Sequence, residues 1–142
     1  MSEKIGQCLC GAVKFKATPK NAEVGVCHCS ICRRQSAGPF FAIDCGDSLV
    51  FEDATHVGAF ASSDWAERGF CTRCGSTLFW RLKDKSINIV AVDLFDEPGD
   101  MVLDHEVFID EKPGYYSFAE KTKQMTGQEV FEMFADGGEG QA

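Results

Sequence analysis

Residues 71–76 read CTRCGS, and this short stretch decides how the rest of the chain is interpreted. Two cysteines separated by two residues can bind one metal ion from a tight turn. The glycine that follows allows the positive φ that such a turn often requires. The pattern is typical of a zinc knuckle, which supplies two of the four ligands of a closed structural zinc site. The other two ligands must come from elsewhere in the chain.

A second pair of cysteines occurs near the N-terminus, where residues 8–11 read CLCG and also end on a glycine. Two pairs give the four thiolates that a tetrahedral structural zinc site requires. We therefore predict that Cys8, Cys10, Cys71 and Cys74 bind one structural zinc ion. This ion would join the N-terminal strand to the knuckle and close a long loop.

Between these pairs, residues 27–32 read CHCSIC and hold three more cysteines. Three protein ligands are typical of a catalytic zinc ion, because its fourth position stays open for water or substrate. The spacing therefore predicts that Cys27, Cys29 and Cys32 bind a second zinc ion and act as the catalytic group. Such an ion remains a Lewis acid that can bind another thiol.

The spacing leaves other arrangements open. Cys71 or Cys74 could complete the second site instead of belonging to the first. His28 could be a ligand, move a proton, since its ordinary pKa lies near neutrality, or form a structural hydrogen bond. Cys45 lies in an alternating strand, on the same face as Phe41 and Ile43, and is expected to be a small buried hydrophobic residue.

Short stretches of alternating apolar and polar residues, separated by turns rich in glycine, proline and aspartate, predict a mainly β fold of antiparallel sheets. The predicted strands lie in residues 12–17, 41–45, 49–51, 57–60, 76–80, 87–92 and 105–109. Thr126 and Glu129 are spaced as a capping box, which predicts one short helix near the C-terminus. We expect one domain over residues 3–120, followed by this helix and a flexible tail over residues 121–142.

Composition narrows the function further. The chain has 142 residues, 44% of them hydrophobic, so it can form a core without cysteine cross-links. Its net charge of -8 disfavours nucleic acid as a partner, because binding phosphates requires a surplus of lysine and arginine. The chain has no apolar run of about 18 residues and no signal peptide, which predicts a cytoplasmic protein without a membrane partner. The reducing cytosol favours metal-bound cysteines over disulfides.

The three cysteine motifs also occur together, in this order, in a known family. Residues 8–13, 27–36 and 70–76 resemble the glutathione-dependent formaldehyde-activating enzyme family, which includes centromere protein V. The resemblance covers about residues 3–118. It implies antiparallel sheets in a β-tent arrangement, a structural zinc ion on the four outer cysteines and a catalytic zinc ion on the central trio.

The resemblance also implies an activity, the joining of glutathione and formaldehyde into S-hydroxymethylglutathione by a carbon–sulfur lyase. A small thiol such as glutathione is then the expected partner. Arg33 and Arg34 directly follow the third cysteine of the trio and are candidates to pair with its carboxylate. The alternative is a zinc-stabilised binding or scaffold module without catalysis, in which His28 or Cys45 completes the second site.

Overall fold

The computed structural model describes residues 1–135, and the predicted C-terminal tail, residues 137–142, lies outside the described residues. Within this range, no helix is long and apolar enough to cross a membrane. The chain forms two compact units. The first comprises Met1–Ala22 and Ala42–Asp100, and the second comprises Glu23–Phe41 and Met101–Ala142.

Strands dominate the secondary structure of the described residues. The strands are β1 (Lys4–Gln7), β2 (Lys14–Ala17), β3 (Glu23–Cys27), β4 (Phe40–Asp44), β5 (Val50–Phe51), β6 (Val57–Ala61), β7 (Ala66–Cys71), β8 (Thr77–Leu82), β9 (Asn88–Ala91), β10 (Val102–Val107) and β11 (Lys123–Met125). The α-helices are α1 (Ser30–Ser36) and α2 (Gly127–Ala135), and short 3-10 turns cover Val92–Leu94 and Ile109–Glu111. The predictions of a mainly β fold and of a short C-terminal helix are confirmed.

In the first unit the strand pairs are antiparallel. Strand β2 pairs with β1 and with β5 in a small sheet. A second set pairs in the order β4, β9, β8, β7 and β6. A core cluster in this unit contains Cys8, Val13, Cys71, Leu78 and Phe79. Two of the predicted metal ligands are therefore part of the hydrophobic core.

In the second unit, β10 pairs with β3 and with β11, and both pairs are parallel. These two parallel pairs differ from the prediction, which describes antiparallel sheets only. Parallel neighbours require a long crossover connection, and β3 and β10 are joined by most of the first unit's sequence. The local alternation of apolar residues identifies a strand but carries no information about the direction of its neighbour.

Helix α2 begins with the predicted capping box. The Thr126 backbone N–H donates to Oε1 of Glu129 at 2.8 Å, and the Glu129 N–H donates to Oγ1 of Thr126 at 3.2 Å. Each side chain thus satisfies a backbone donor that the first helical turn leaves without a partner. Helix α1 is absent from the sequence prediction, because its seven residues are too short to show a helical period.

Candidate functional site

Four cysteines meet in the first unit. The Sγ atoms of Cys8, Cys10, Cys71 and Cys74 all lie within 4.8 Å of one another. The distance between the Sγ atoms is 3.6 Å for Cys8 and Cys10 and 3.9 Å for Cys10 and Cys71. Two thiolates on one tetrahedral zinc ion, each bonded at about 2.3 Å, are about 3.8 Å apart. The four sulfur atoms therefore fit one zinc ion.

Two similar turns position these cysteine pairs. Gly75 has φ 81° and its N–H donates to the Cys71 carbonyl at 2.8 Å. Gly11 has φ 80° and its N–H donates to the Cys8 carbonyl at 3.2 Å. Other residues rarely adopt this left-handed conformation, so both glycines are required by the turn itself. Each turn brings its two side chains to the same side.

Backbone N–H groups point at the sulfur atoms of this group. The Val13 N–H donates to Sγ of Cys8 at 3.3 Å. The N–H groups of Arg73 and Cys74 both donate to Sγ of Cys71 at 3.4 Å. Hydrogen bonds to a sulfur atom stabilise its ionised form, which is the form that binds a metal ion.

The thiols of this group influence one another's ionisation. Hydrogen bonds with Ser76 lower the pKa of Cys74 to about 5. A backbone hydrogen bond from Ala12 lowers the pKa of Cys10, but burial and the three neighbouring thiols raise it to about 11. Four thiolates at these distances repel one another, so a cation is needed before all four are ionised. A metal ion bound by the four sulfur atoms would supply that positive charge.

Three further cysteines meet in the second unit. Cys27 ends β3, Cys29 is the N-cap of α1, and Cys32 lies in its first turn, where its N–H donates to Sγ of Cys29 at 3.3 Å. The three Sγ atoms lie within 4.8 Å of one another, and all three residues are buried. Hydrogen bonds with the other two thiols, together with burial, raise the pKa of Cys27. This trio also needs a cation to hold three thiolates.

The seven cysteines form one group of four and one group of three, which is the division that their spacing in the sequence favours. Cys71 and Cys74 lie with the N-terminal pair and not with the trio. Across residues 1–135, no fourth cysteine, histidine, aspartate or glutamate belongs to the trio's group. Cys45 is buried, and its burial and the nearby charge of Asp44 raise the pKa of its thiol to about 12. Its burial is as predicted for a small hydrophobic residue.

His28 lies between two cysteines of the trio but makes other contacts. Its side chain is completely buried, with Nδ1 2.8 Å from the hydroxyl oxygen of Tyr116 and Nε2 2.7 Å from Oε1 of Glu106. Both ring nitrogens therefore have hydrogen-bond partners, which matches the structural role among the alternatives. Neither Tyr116 nor Glu106 is a candidate from the sequence, where nothing distinguishes them from other strand and turn residues.

Glu106 is a buried acid with several partners. Its Oε2 accepts hydrogen bonds from the Thr122 hydroxyl and from Nε2 of Gln124. Burial raises the pKa of the Glu106 carboxyl, but hydrogen bonds from Thr122 and His28 lower it further, so that it lies below its ordinary value. The side chain is therefore an ionised acceptor at neutral pH.

A cavity of about 640 Å³ lies in the second unit, beside the C-terminal half of α1. Arg33 and Arg34 line it together with the aromatic rings of Phe41, Tyr116 and Phe118. The rings of Phe41 and Phe118 meet edge to face at 5.4 Å. Guanidinium groups can bind a carboxylate through two parallel charge-assisted hydrogen bonds, so this cavity is a candidate carboxylate site.

Comparisons with known proteins support the sequence resemblance. The model of the glutathione-dependent formaldehyde-activating enzyme family matches residues 3–111. An uncharacterized lyase of Schizosaccharomyces pombe is 37% identical over 131 residues, which cover 92% of this chain and 96% of that protein. A putative glutathione-dependent formaldehyde-activating enzyme of Halomonas elongata is 36% identical over 83 residues, covering 52% of this chain and 53% of that protein.

A solved structure supports the fold. The crystal structure of a Rhodobacter sphaeroides protein superposes with a TM-score of 0.58 at 22% identity, covering 68% of this chain and 91% of that chain. The family match extends over most of the chain and includes all seven cysteines of the two groups. The chain therefore belongs to the glutathione-dependent formaldehyde-activating enzyme family.

Proposed function

We propose that the protein is a zinc-dependent enzyme of the carbon–sulfur lyase type that acts on the adduct of an aldehyde with a glutathione-like thiol. One observation carries this proposal. Cys27, Cys29 and Cys32 form a buried three-sulfur group, and the two residues that follow it, Arg33 and Arg34, line a cavity. The names of the two curated relatives, a lyase and a putative formaldehyde-activating enzyme, support the same reaction class.

The two cysteine groups have different expected roles. The group of Cys8, Cys10, Cys71 and Cys74 supplies four ligands and would hold a structural zinc ion. The trio would hold a second zinc ion with one position open to a substrate. That ion would supply Lewis acidity and favour the ionised form of a substrate sulfur.

The remaining chemistry belongs to side chains of the cavity. Glutathione carries two carboxylates, and the guanidinium groups of Arg33 and Arg34 can pair with one of them. The aromatic side chains of the cavity would pack against the apolar parts of the bound adduct. In the synthetic direction a bond forms between the thiol sulfur and the carbonyl carbon, and the thiol proton ends on the carbonyl oxygen. Cleavage reverses these changes without an oxidant or a reductant.

Calorimetric titration of glutathione into the zinc-loaded full chain tests this proposal. We expect binding that weakens about tenfold to a hundredfold in Arg34→Ala, since one charge-assisted hydrogen bond is lost. Lys83→Ala removes an exposed positive charge from the first unit and should bind like the parent protein. Arg33 is a less direct test, because its Nε also donates to the His28 carbonyl at 2.8 Å.

Cobalt substitution gives a second measurement that does not depend on turnover. The absorption of Co²⁺ bound by the trio should change when glutathione is added, because a new sulfur enters the open position. A spectrum that glutathione leaves unchanged, together with no heat of binding, would contradict the proposal. That result would favour a zinc-stabilised module without catalysis.

A further inference from the structure

Three side chains in the second unit form a hydrogen-bonded chain that runs from a buried carboxylate to the cavity. Glu106 contacts Nε2 of His28 at 2.7 Å, and Nδ1 of His28 contacts the Tyr116 hydroxyl at 2.8 Å. Glu106 and His28 are buried, whereas Tyr116 lines the cavity. The proposed zinc ligands do not include any of the three, so their role in the function is unassigned.

Glu106 determines which atom carries the proton that it shares with His28. An ionised carboxylate can only accept, so the proton between the two side chains belongs to Nε2 of His28. Nδ1 of His28 faces the Tyr116 hydroxyl at 2.8 Å. Whether that hydroxyl donates to Nδ1 or accepts from it, the Tyr116 oxygen keeps a lone pair that can accept a hydrogen bond from a ligand.

The main chain fixes His28 in this position as well. The His28 N–H donates to the Val107 carbonyl at 3.1 Å, and the His28 carbonyl accepts from Nε of Arg33 at 2.8 Å. The Tyr116 ring also packs against His28, with ring centroids 5.5 Å apart. The imidazole cannot rotate without losing several of these contacts, so the Tyr116 hydroxyl is held in one direction.

The cavity otherwise presents donors and apolar groups. Arginine side chains only donate, and the phenylalanine rings form no conventional hydrogen bonds. Among the described side chains that line the cavity, the two tyrosines alone can accept, and Tyr116 is the one that a buried partner orients. A ligand that matches both features has a carboxylate for the arginines and a hydroxyl for Tyr116.

From this arrangement we infer that Tyr116 accepts a hydrogen bond from the hydroxyl group that an aldehyde adduct of a thiol carries and a free thiol lacks. His28 and Glu106 are positioning residues that act through Tyr116. The inference rests on the proposed function and adds the residue that distinguishes the adduct from other sulfur compounds.

Two ligands of matched size provide the test. S-(2-hydroxyethyl)glutathione ends in a hydroxyl, and S-propylglutathione ends in a methyl group at the same place. Their affinities for the zinc-loaded full chain are measured by calorimetry at one fixed pH. We expect the ratio of the two affinities to fall about threefold to tenfold in Tyr116→Phe, the range for one neutral hydrogen bond. The phenylalanine keeps the ring contacts of Tyr116.

Variants of Glu106 test the positioning role. The amide introduced by Glu106→Gln can donate as well as accept, so it no longer holds His28, and through it Tyr116, in one arrangement. The ratio of the two ligand affinities should therefore fall in this variant too. In the double variant Tyr116→Phe with Glu106→Gln the ratio should fall no further than in Tyr116→Phe alone, since both changes act on one hydrogen bond. Glu120→Gln, an exposed residue of the same segment, should leave the ratio unchanged.

The ratio of the two ligand affinities is the readout that a purely structural role of Glu106 would not change. Nitrogen-15 NMR of labelled histidine checks the contact behind it: the parent protein should show Nε2 of His28 protonated, and Glu106→Gln should alter that signal. Two binding results overturn the inference. If both ligands bind and Tyr116→Phe leaves their ratio unchanged, the inference fails alone. If neither ligand nor glutathione binds the parent protein, the proposed function fails and the inference fails with it.

Discussion

The Nε2 atom of His28 lies 2.7 Å from Oε1 of Glu106, and the exposed fractions of the two side chains are 0% and 5%. A pair so completely buried depends on both members, because either one alone would leave a polar group without a partner. The same glutamate also holds Thr122, which lies just before β11. The pair is therefore part of the second unit's structure, and it reaches the cavity only through Tyr116.

Replacing Glu106 by alanine should destabilise the protein by about 1–3 kcal/mol, the usual penalty for leaving a buried hydrogen-bonding group unsatisfied. The change removes an acceptor from both His28 and Thr122. Equilibrium unfolding in urea measures the effect. Glu120→Ala, at an exposed position, should change stability by less than about 0.5 kcal/mol. Equal stability of the two variants would show that the buried carboxylate contributes nothing to folding.

Serine in place of single cysteines should separate the two metal sites. Cys32→Ser should lose one zinc ion and keep the fold, whereas Cys74→Ser should lose the other ion and its cooperative unfolding. A structural zinc site can contribute about 10 kcal/mol or more to folding, which is why the second variant is the more damaging. Elemental analysis and thermal unfolding of protein purified without chelators measure both effects.

The control for these variants is Cys45→Ala, which removes a buried thiol that belongs to neither group in the described part of the chain. It should retain both zinc ions. The assignment of the four outer cysteines is wrong if Cys74→Ser keeps as much zinc and as sharp a transition as Cys45→Ala.

Gly75→Ala should destabilise the protein by about 1–2 kcal/mol, since a residue with a Cβ atom is strained at positive φ. The position is a clean test because an added Cβ would meet no atom within 4 Å. Gly114 is equally open but has no positive φ, so Gly114→Ala should be neutral or slightly stabilising. Thermal unfolding of both variants checks the prediction, and a Gly75→Ala protein as stable as Gly114→Ala would contradict it.

Thr126→Ala should destabilise the protein by about 1 kcal/mol through loss of the capping box of α2. Thr126→Ser keeps the hydroxyl that accepts from the Glu129 N–H and should stay close to the parent protein. Chemical unfolding distinguishes the two variants. Identical losses in both would point to the methyl group of the threonine rather than to its hydrogen bond.

The sequence predicts the features that depend on neighbours along the chain. Cysteine spacing, glycine at the turns and the capping box are local patterns, and each corresponds to a structure of a few residues. The pairing of residues 8–11 with residues 71–76 could also be predicted, because a zinc site requires four ligands and each turn offers two. The requirement for four ligands therefore predicts a contact between two segments that are far apart in the sequence.

Three strands that contain a glycine are absent from the strands predicted by alternation. In β1, β3 and β7 a glycine breaks the apolar pattern, and an aromatic ring from the neighbouring strand covers the bare backbone. An added Cβ atom would lie less than 3 Å from that ring in each case. The pairs are Gly6–Phe15, Gly25–His105 and Gly69–Phe79. Because the ring comes from the neighbouring strand, the sequence of the strand with the glycine does not show this packing.

The partners of His28 could not be predicted for a similar reason. Glu106 and Tyr116 lie 78 and 88 residues away in sequence, and their alignment with His28 depends on the parallel pairing of β3 with β10. The sequence shows a histidine among cysteines, which leaves a metal ligand, a proton carrier and a structural hydrogen bond all open. The fold shows that both nitrogens are already occupied by partners from a distant segment.

The presence of Cys8 and Cys71 in one core has a consequence for biosynthesis. A ribosome that adds about 5–20 residues per second needs roughly 3–13 s to progress from the first of these cysteines to the second. During that interval the emerging N-terminal thiols have no counterpart and are exposed to oxidants and to stray copper or iron. If the four outer cysteines bind zinc as proposed, a shortage of zinc would keep these thiols exposed after the interval ends, and the yield of folded protein should follow the supply of the metal.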